Sequence, residues 1–405
     1  MTLTQWNETV RSDAFFDKIR PLVVDETKLE AQRTRYLHAL DEFEKLFGDG
    51  PVELFSAPGR SEVGGNHTDH QNGKVLACSL NLDVIAVVRK RDDGIISVQS
   101  EGYPLDTVDL AQLEPVPEEE GSSKALIRGV AGALAEAGYT VGGFDAYSTS
   151  EVLQGSGMSS SAAYEVLLGT ILSGLYNNDE ISPVEVAKAS QVAENKYFGK
   201  PSGLLDQMAC SVGGFVTIDF KVKENPVVRN IPFELDKHGY ALILTDCKQS
   251  HADLSDEYSL VPNEMKAAAR VMGKTVLSEV TVKDLLAHAK EIREQCGDRA
   301  FLRSYHFLKE TDRVVDEVQA LERGEIRFFL NHVIASGQSS FMYLQNVYAH
   351  NDDQSLSLAL AMAEHMLVDK DGAWRIHGGG FAGTTLNFVP NAMLDSFVKE
   401  MEQVF

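Results

Sequence analysis

Cysteine, proline and positive charge are all scarce in this chain of 405 residues, and each scarcity excludes something. The four cysteines, Cys78, Cys210, Cys247 and Cys296, lie far apart. None forms the short pair that grips zinc or staples a small secreted domain, so free and largely buried thiols are expected. Only 12 prolines are spread along the chain, which excludes a fibrous or proline-rich linker architecture. Lys and Arg number 37 against 60 Asp and Glu, and the formal net charge of −23 opposes non-specific attraction to nucleic acid or anionic membranes. An anionic ligand must therefore be met by local basic side chains or main-chain amides. No apolar run reaches the roughly 20 residues that span a bilayer. The first twenty residues mix charge throughout and lack the apolar core and cleavage site of a signal peptide. Neither a nucleic-acid nor a membrane partner is expected, and a reducing cytoplasm is the expected location.

What is present is an ordinary enzyme-like mixture, 43% hydrophobic and 24% charged, in a chain too long for one average core. Two substantial domains are expected. Trp6 to Phe47 carries a helical pattern that ends at the turn-forming Gly48-Asp49-Gly50-Pro51. Val84–Val88 and Ile95–Val98 read as strands, and Asp92-Asp93-Gly94 between them predicts a hairpin. Ser182-Pro183-Val184-Glu185 is a capping box with proline at the first helical position, predicting a helix from there to about Tyr197. Further strands are expected at Phe215–Ile218 and Ala241–Leu244, then amphipathic helices between about Val261 and His365. Strands and helices alternate irregularly, which predicts an α+β fold. The shift from a β-rich to a helix-rich stretch places a boundary near residue 235, giving domains 1–235 and 236–405.

Three polar segments stand out. In Leu153-Gln154-Gly155-Ser156-Gly157-Met158-Ser159-Ser160-Ser161-Ala162-Ala163 a glycine loop runs into a helix start, where unpaired amides and the positive dipole end suit phosphate. A plain glycine turn with a serine cap is the stronger reading of this segment taken alone. Ala57-Pro58-Gly59-Arg60 followed by Gly65-Asn66-His67-Thr68-Asp69-His70 packs many donors and acceptors among small residues, as a polyol site requires. His67, Asp69 and His70 lack the spacing of a helical zinc site, so an exposed polar turn is the competing reading. Glu194 to Gln207 sets a helix-borne carboxylate before a Gly-Pro-Gly turn and a second carboxylate, Asp206, suited to a magnesium ligand and a general base.

Two further glycine-rich stretches mislead. Gly273-Lys274-Thr275 ends like a P-loop, but Ala268 stands where the first glycine belongs and the preceding residues are helical. Gly378-Gly379-Gly380-Phe381-Ala382-Gly383 fits a dinucleotide fingerprint by letter, yet a strand-like Leu386–Val389 follows where a helix is needed.

Taken in order, APGR with its GxHTDH-like continuation, GSGMSSSAA, the turn GKPSGLLDQ and Arg375–Thr384 resemble the motifs of the GHMP small-molecule kinases, galactokinase branch. The resemblance covers most of the chain, from residue 56 to 385. It implies an N-terminal domain like the second domain of ribosomal protein S5 and a ferredoxin-like C-terminal domain, with ATP and a sugar bound between them. It implies transfer of the ATP γ-phosphoryl group to an anomeric sugar hydroxyl, with Asp206 and Arg60 catalytic and Mg2+ held by Ser161 and Glu194. Gly155, Ser156, Gly157, Ser159, Ser160 and Ser161 match the phosphate cradle, and Asn66, His67, Asp69, Gly203 and Tyr258 the sugar side. Gly378, Gly379, Gly380 and Gly383 match the third motif, in which His377 replaces the usual threonine. Small-molecule sugar and ATP are thus the expected partners, and the oligomeric state is left open, a monomer being sufficient.

The first motif departs from the branch's usual Gly-Arg-x-Asn-x-x-Gly-Glu-His-x-Asp-Tyr at three places, where Glu62, Asn66 and His70 replace asparagine, glutamate and tyrosine. The resemblance puts that glutamate near the sugar's C6 hydroxyl. A C6 carboxylate would be repelled by it by about 4 kcal/mol at 4 Å and an effective dielectric of 20. The neutral Asn66 lifts that penalty, so a uronic acid such as galacturonate is the second substrate expectation. A non-catalytic sugar sensor is the alternative of another class, disfavoured by the retention of Arg60, Ser161, Glu194 and Asp206.

Overall fold

Helices Leu3–Arg11, Asp13–Val23 and Leu29–Phe47 form the N-terminal stretch. Thr2 and Gln5 close a capping box at the start, and Gly48, at φ +76°, ends the third helix. Their apolar faces, including Val10, Phe15, Leu40 and Phe43, pack on Val52, Ile85, Val87 and Tyr147. The coordinates are a computed structural model that describes residues 1–23, 25–152, 158–222, 225–248, 255–348, 353–381 and 383–405. The ten strands described are β1 Glu53–Gly64, β2 Lys74–Lys90, β3 Ile95–Ser100, β4 Asp106–Asp109, β5 Phe144–Ser150, β6 Phe215–Asp219, β7 Val227–Ile231, β8 Tyr240–Asp246, β9 Ala373–Ile376 and β10 Thr384–Pro390. The fold is mixed α+β.

The chain divides into two compact units that interleave in sequence. The first comprises Met1–Arg60, Ser79–Gln154 and Met158–Gly213, and the second chiefly Ser61–Cys78 and Gly214–Phe405. The boundary expected near residue 235 falls inside the second unit, after β7.

In the first unit the strands run in the order β4, β3, β5, β2. The expected hairpin between β2 and β3 does not form, because β5 lies between them, antiparallel to β2 and parallel to β3. Phe144 to Thr149 of β5 are all buried, and a strand covered on both faces belongs in the interior of a sheet. Helix Ser123–Glu136 precedes β5 and makes the crossover that a parallel neighbour requires. The turn at Gly94, with φ +71°, remains a chain reversal but leads into β3 beside β4.

In the second unit Lys74–Cys78 of β2 pair with β6, β6 pairs with β7, and a separate antiparallel sheet runs β8, β10, β9. Long helices Ser255–Val271, Asp298–Arg323, Ile326–Ser339 and Ser355–Leu367 supply its apolar mass. One cluster gathers Met265, Leu277, Phe307, Leu344 and Phe381, and another Leu356, Leu367, Trp374, Ile376 and Phe397. Gly273, at φ +68°, closes the helix that precedes it, with the Lys274 N–H returned to the Ala269 carbonyl, a helix stop and no phosphate loop. No disulfide joins any of the four cysteines, and Cys78, Cys210 and Cys247 are buried.

Candidate active site

In the first unit three of the sequence segments meet on Asp206. Arg60, near the end of β1, is buried and grips the carboxylate with two parallel bonds, Nε to Oδ1 at 2.8 Å and Nη2 to Oδ2 at 2.7 Å. Its backbone is pinned too, the Arg60 N–H reaching the Met158 carbonyl at 3.2 Å. A Cβ on the neighbouring Gly59 would crowd Val152 and that same carbonyl, which explains the glycine. Asp206 stands in the first turn of helix Leu205–Val212, where the dipole favours a carboxylate. Burial works to raise its pKa, but the Arg60 charge and hydrogen bonds and the Ser159 hydroxyl outweigh it and hold the group below the usual carboxylate range. Asp206 is therefore ionised at neutral pH.

Ser159 precedes helix Ser160–Asn177 in a left-handed conformation, φ +58°, and makes no side-chain cap. Its hydroxyl is spent instead on Asp206 Oδ2, at 2.7 Å. A strained residue that abandons its capping bond for a carboxylate is the pattern of a functional site. The amides of the first helical turn, Ser160 among them, have no partner within the helix. Gly155, Ser156 and Gly157 of the expected cradle lie outside the described residues.

Of the expected capping box at Ser182 only one half forms, the Ser182 hydroxyl accepting from the Glu185 N–H while the Glu185 carboxylate takes Lys188 instead, and helix Pro183–Val192 then passes into a π-turn, Ala193–Tyr197. Such insertions recur at functional sites. This one carries Glu194, which is buried and accepts from Ser161 Oγ at 3.0 Å, Lys200 Nζ at 2.8 Å and Gln207 Nε2 at 2.8 Å. Desolvation opposes its charge, yet Lys200, Ser202 and Ser161 keep its pKa below the ordinary value. Sequence reasoning missed Lys200, Gln207 and Glu165. Gln207 Nε2 also donates to Glu165 Oε2 at 3.2 Å, and Glu165, fully buried beside the Glu194 charge, is pushed up to about 9 and so kept neutral. Its signal was its place one turn after Ser161 on the same helix face.

In the second unit the polar loop is built into the interior. Arg375 Nη1 donates to the Val63 carbonyl at 2.6 Å, the Gly65 N–H donates to Glu310 Oε1 at 3.1 Å, and His306 Nε2 donates to the Asn66 carbonyl at 2.9 Å. His306 is pushed down to about 4, chiefly by burial, so it stays neutral and its Nδ1 accepts from Ser339. Asn66 is wholly enclosed. Its amide donates to Glu62 Oε1 at 2.9 Å and to the Gly378 carbonyl at 2.6 Å, while its oxygen accepts from Asn346 at 2.8 Å and Ser340 at 3.2 Å. His67 Nε2 donates to the Gly379 carbonyl at 2.8 Å, and Tyr258 Oη to the Gly380 carbonyl at 2.5 Å. Asp69 begins a short 3-10 turn and is half-buried, whereas Gly203 of the first unit is exposed just ahead of Asp206. His377 is buried and shares a 2.8 Å hydrogen bond with the Thr384 hydroxyl. Gly378, Gly380 and Gly383 all take φ near +60° to +95°, which only glycine adopts without strain.

Comparison with known proteins supplies the family. The galactokinase galactose-binding signature matches residues 41–90, and the GHMP kinase N-terminal domain matches residues 125–214. The galactokinase of Streptomyces coelicolor is 32% identical over 90% of this chain and 92% of its own length. The chain belongs to the galactokinase family. Another member, from Glaesserella parasuis, is 29% identical over 88% of this chain and 90% of its own. Among solved structures, Lactococcus lactis galactokinase complexed with galactose superimposes with a TM-score of 0.77 at 24% identity, covering 91% of this chain and 94% of that one. Methanococcus jannaschii mevalonate kinase follows the same fold with a TM-score of 0.61 at 16% identity, covering 87% and 96%. As a galactokinase-family member the chain is a phosphotransferase that acts on a sugar hydroxyl, and the family's phosphate donor is ATP. Among the described residues no helix is long and apolar enough to cross a membrane.

Proposed function

We propose that the chain phosphorylates galactose at its anomeric hydroxyl, with Asp206 as the group that orients and deprotonates O1 and Arg60 beside it. The observation that carries this is the convergence of three separate sequence segments on one carboxylate, through the paired Arg60 bonds and the Ser159 hydroxyl. A carboxylate held ionised and below its usual range is a weak base. It accepts a hydrogen bond from the sugar hydroxyl in the ground state and takes the proton late, when the forming bond from O1 to the γ-phosphorus, with ADP leaving, has made the hydroxyl acidic. Arg60 sits where it neutralises charge that develops on the reacting oxygens. Asp69 and Gly203 are the sugar-side groups of this proposal.

The residues present fit a nucleotide and a hard cation. Ser161 Oγ and the Glu194 carboxylate lie 3.0 Å apart, and the Lys200 ammonium already rests on the same Glu194 oxygen as a cation would. One hydroxyl and one carboxylate are the usual protein share of a magnesium site completed by phosphates and water. When bound, Mg-ATP supplies the transferable phosphoryl group and the cation's charge. Ser161 and Glu194 would hold the cation, and Ser160 with the first-turn amides would hold phosphate.

For the sugar, Glu62 speaks against a uronic acid. The carboxylate that the family has at position 66 is displaced by four residues, not removed, and lies hydrogen-bonded to Asn66 at 2.9 Å. Replacing Asp206 with Asn tests the catalytic role, with binding of galactose and nucleotide followed calorimetrically. Turnover should fall about 10²- to 10⁴-fold with binding retained, and near-normal turnover would falsify the assignment. A coupled ADP-release assay across galactose, N-acetylgalactosamine, galacturonate, glucose and arabinose tests the sugar, and a higher kcat/KM for galacturonate than for galactose would reject it.

A further inference from the structure

Three residues expected to face the sugar instead hold three successive main-chain carbonyls. Asn66, His67 and Tyr258 donate to the carbonyls of Gly378, Gly379 and Gly380, and Asn346 adds a second bond to Gly379 at 3.1 Å. The fit is tight on the other side as well. A Cβ on Gly379 would meet the Tyr258 ring at 2.6 Å, and one on Gly380 would collide with the Asn346 carbonyl. The N–H groups of Gly378, Gly379 and Gly380 have no acceptor among the described residues, so the clamp ties the carbonyls and leaves the amides as the segment's open donors.

Asn66 has nothing left to offer a ligand. An asparagine side chain has two N–H donors and an oxygen that accepts two bonds. Both donors and both acceptor positions are filled by Glu62, Gly378, Asn346 and Ser340. The reversed amide would turn its oxygen on the Glu62 carboxylate and the Gly378 carbonyl, so the network fixes its orientation. The family's residue pair at these positions, asparagine then glutamate, is exchanged here for Glu62 and Asn66. A carboxylate at position 66 could not donate to the Gly378 carbonyl. With the exchange, position 66 becomes a donor and Glu62, only 13% exposed, becomes the acceptor that aims it.

We propose that Asn66, oriented by Glu62, is a positioning residue that with His67 and Tyr258 clamps the 378–380 segment, and that the side chain at position 66 does not read C6 of the sugar. The kinetic half of the proposal rests on the galactose reading, and the structural half stands without it. The experiment compares Asn66→Asp, Tyr258→Phe and the double exchange Glu62→Asn with Asn66→Glu. Hydrogen–deuterium exchange of the 376–384 segment, read at the His377 and Phe381 amides that are bonded to the Thr384 and Asn346 carbonyls, should rise about tenfold in each, with the melting temperature of Tyr258→Phe unchanged. With galactose and 6-deoxygalactose as probes, kcat should fall for both sugars while the ratio of their kcat/KM values stays within about twofold of the unaltered protein's. Unchanged exchange in all three variants would overturn the clamp. A roughly tenfold loss of the galactose preference in Asn66→Asp would show that the side chain reads C6 and overturn the assignment. If the chain phosphorylates neither sugar, the galactose reading fails while exchange still decides the clamp.

Discussion

Each compact unit buries two carboxyl groups close together and drives their pKa values in opposite directions, but the two pairs are built for different ends. In the first unit Glu165 is pushed up to about 9 and Glu194 is held down, with Gln207 donating to both. In the second, Glu317 is raised well above its ordinary value by burial and by the Glu310 charge, whereas Glu310 falls to about 2. The ionised member tells them apart. Glu194 draws on side chains, one of them the ammonium of Lys200, whose side chain is 59% exposed. Glu310 is fully enclosed by Arg313, Ser336 and the main-chain N–H of Gly65, with Arg375 at 4.0 Å. A buried anion whose partners can be exchanged suits a ligand site, and one tied to the backbone suits a scaffold. Burial and a shifted pKa do not by themselves mark function; what separates these two pairs is the exposure of the cationic partner, 59% for the Lys200 side chain against 13% for Arg313.

The sharpest way to break this contrast is at the reacting centre proposed for the first unit. Arg60→Lys exchanges a fixed two-pronged contact for a single point charge. It should lower kcat/KM by about 10²- to 10³-fold. Arg60 lowers the Asp206 pKa, so weakening it raises that pKa, and the acid limb of the pH–rate profile should move to higher pH. A limb that stays put would mean that Arg60 does not set the charge state of Asp206.

The next effects are on stability and carry opposite signs. Glu310 is depressed from its ordinary 4.5 to about 2, so its contribution is present above pH 4.5 and lost as pH falls toward 2. Glu310→Gln should therefore cost about 3 kcal/mol at pH 7 in chemical denaturation, with the difference from the unaltered protein vanishing in acid. Glu165 is raised, so the folded state holds a proton that the unfolded chain releases above 4.5. Stability falls as pH climbs toward 9. Between pH 7 and 8 that penalty grows by about 1.4 kcal/mol, and Glu165→Gln should flatten the slope. Parallel slopes for the two proteins would mean that Glu165 is ionised in the fold.

Much of this was legible in the chain. Asp206, Arg60, Ser161 and Glu194 stand in contiguous motifs whose residue types declare their chemistry. The capping box at Ser182 set a helix start, and the α+β alternation followed from periodicity. What was hidden depends on partners distant in sequence. β5 separates β2 from β3 because of what it buries, which no local turn signal records. The bonds of Asn66, His67 and Tyr258 to the 378–380 carbonyls were hidden too, because polar residues read alike in sequence whether they face a sugar or a carbonyl more than a hundred residues away. Glu165 gave only the sign of its spacing from Ser161, and Gln207 gave none, because the role of a buried polar side chain is defined by its surroundings. The interleaving of the two units likewise comes from long-range packing.

The smallest expected effect probes whether Glu194's partner is exchangeable. Lys200 is mostly solvated, and exposed ion pairs contribute about 0–1 kcal/mol. Lys200→Met should shift folding stability by no more than about 0.5 kcal/mol. Its ammonium and a bound cation would compete for the same Glu194 oxygen, so removing the lysine should lower the half-saturating magnesium concentration a few-fold. Titration of magnesium at fixed ATP and sugar measures it, with heat denaturation as the control. If the substitution destabilises the fold by more than 1 kcal/mol, or leaves the magnesium requirement unchanged, Lys200 is a structural tie like Arg313 on Glu310. The distinction between the two buried pairs would then collapse.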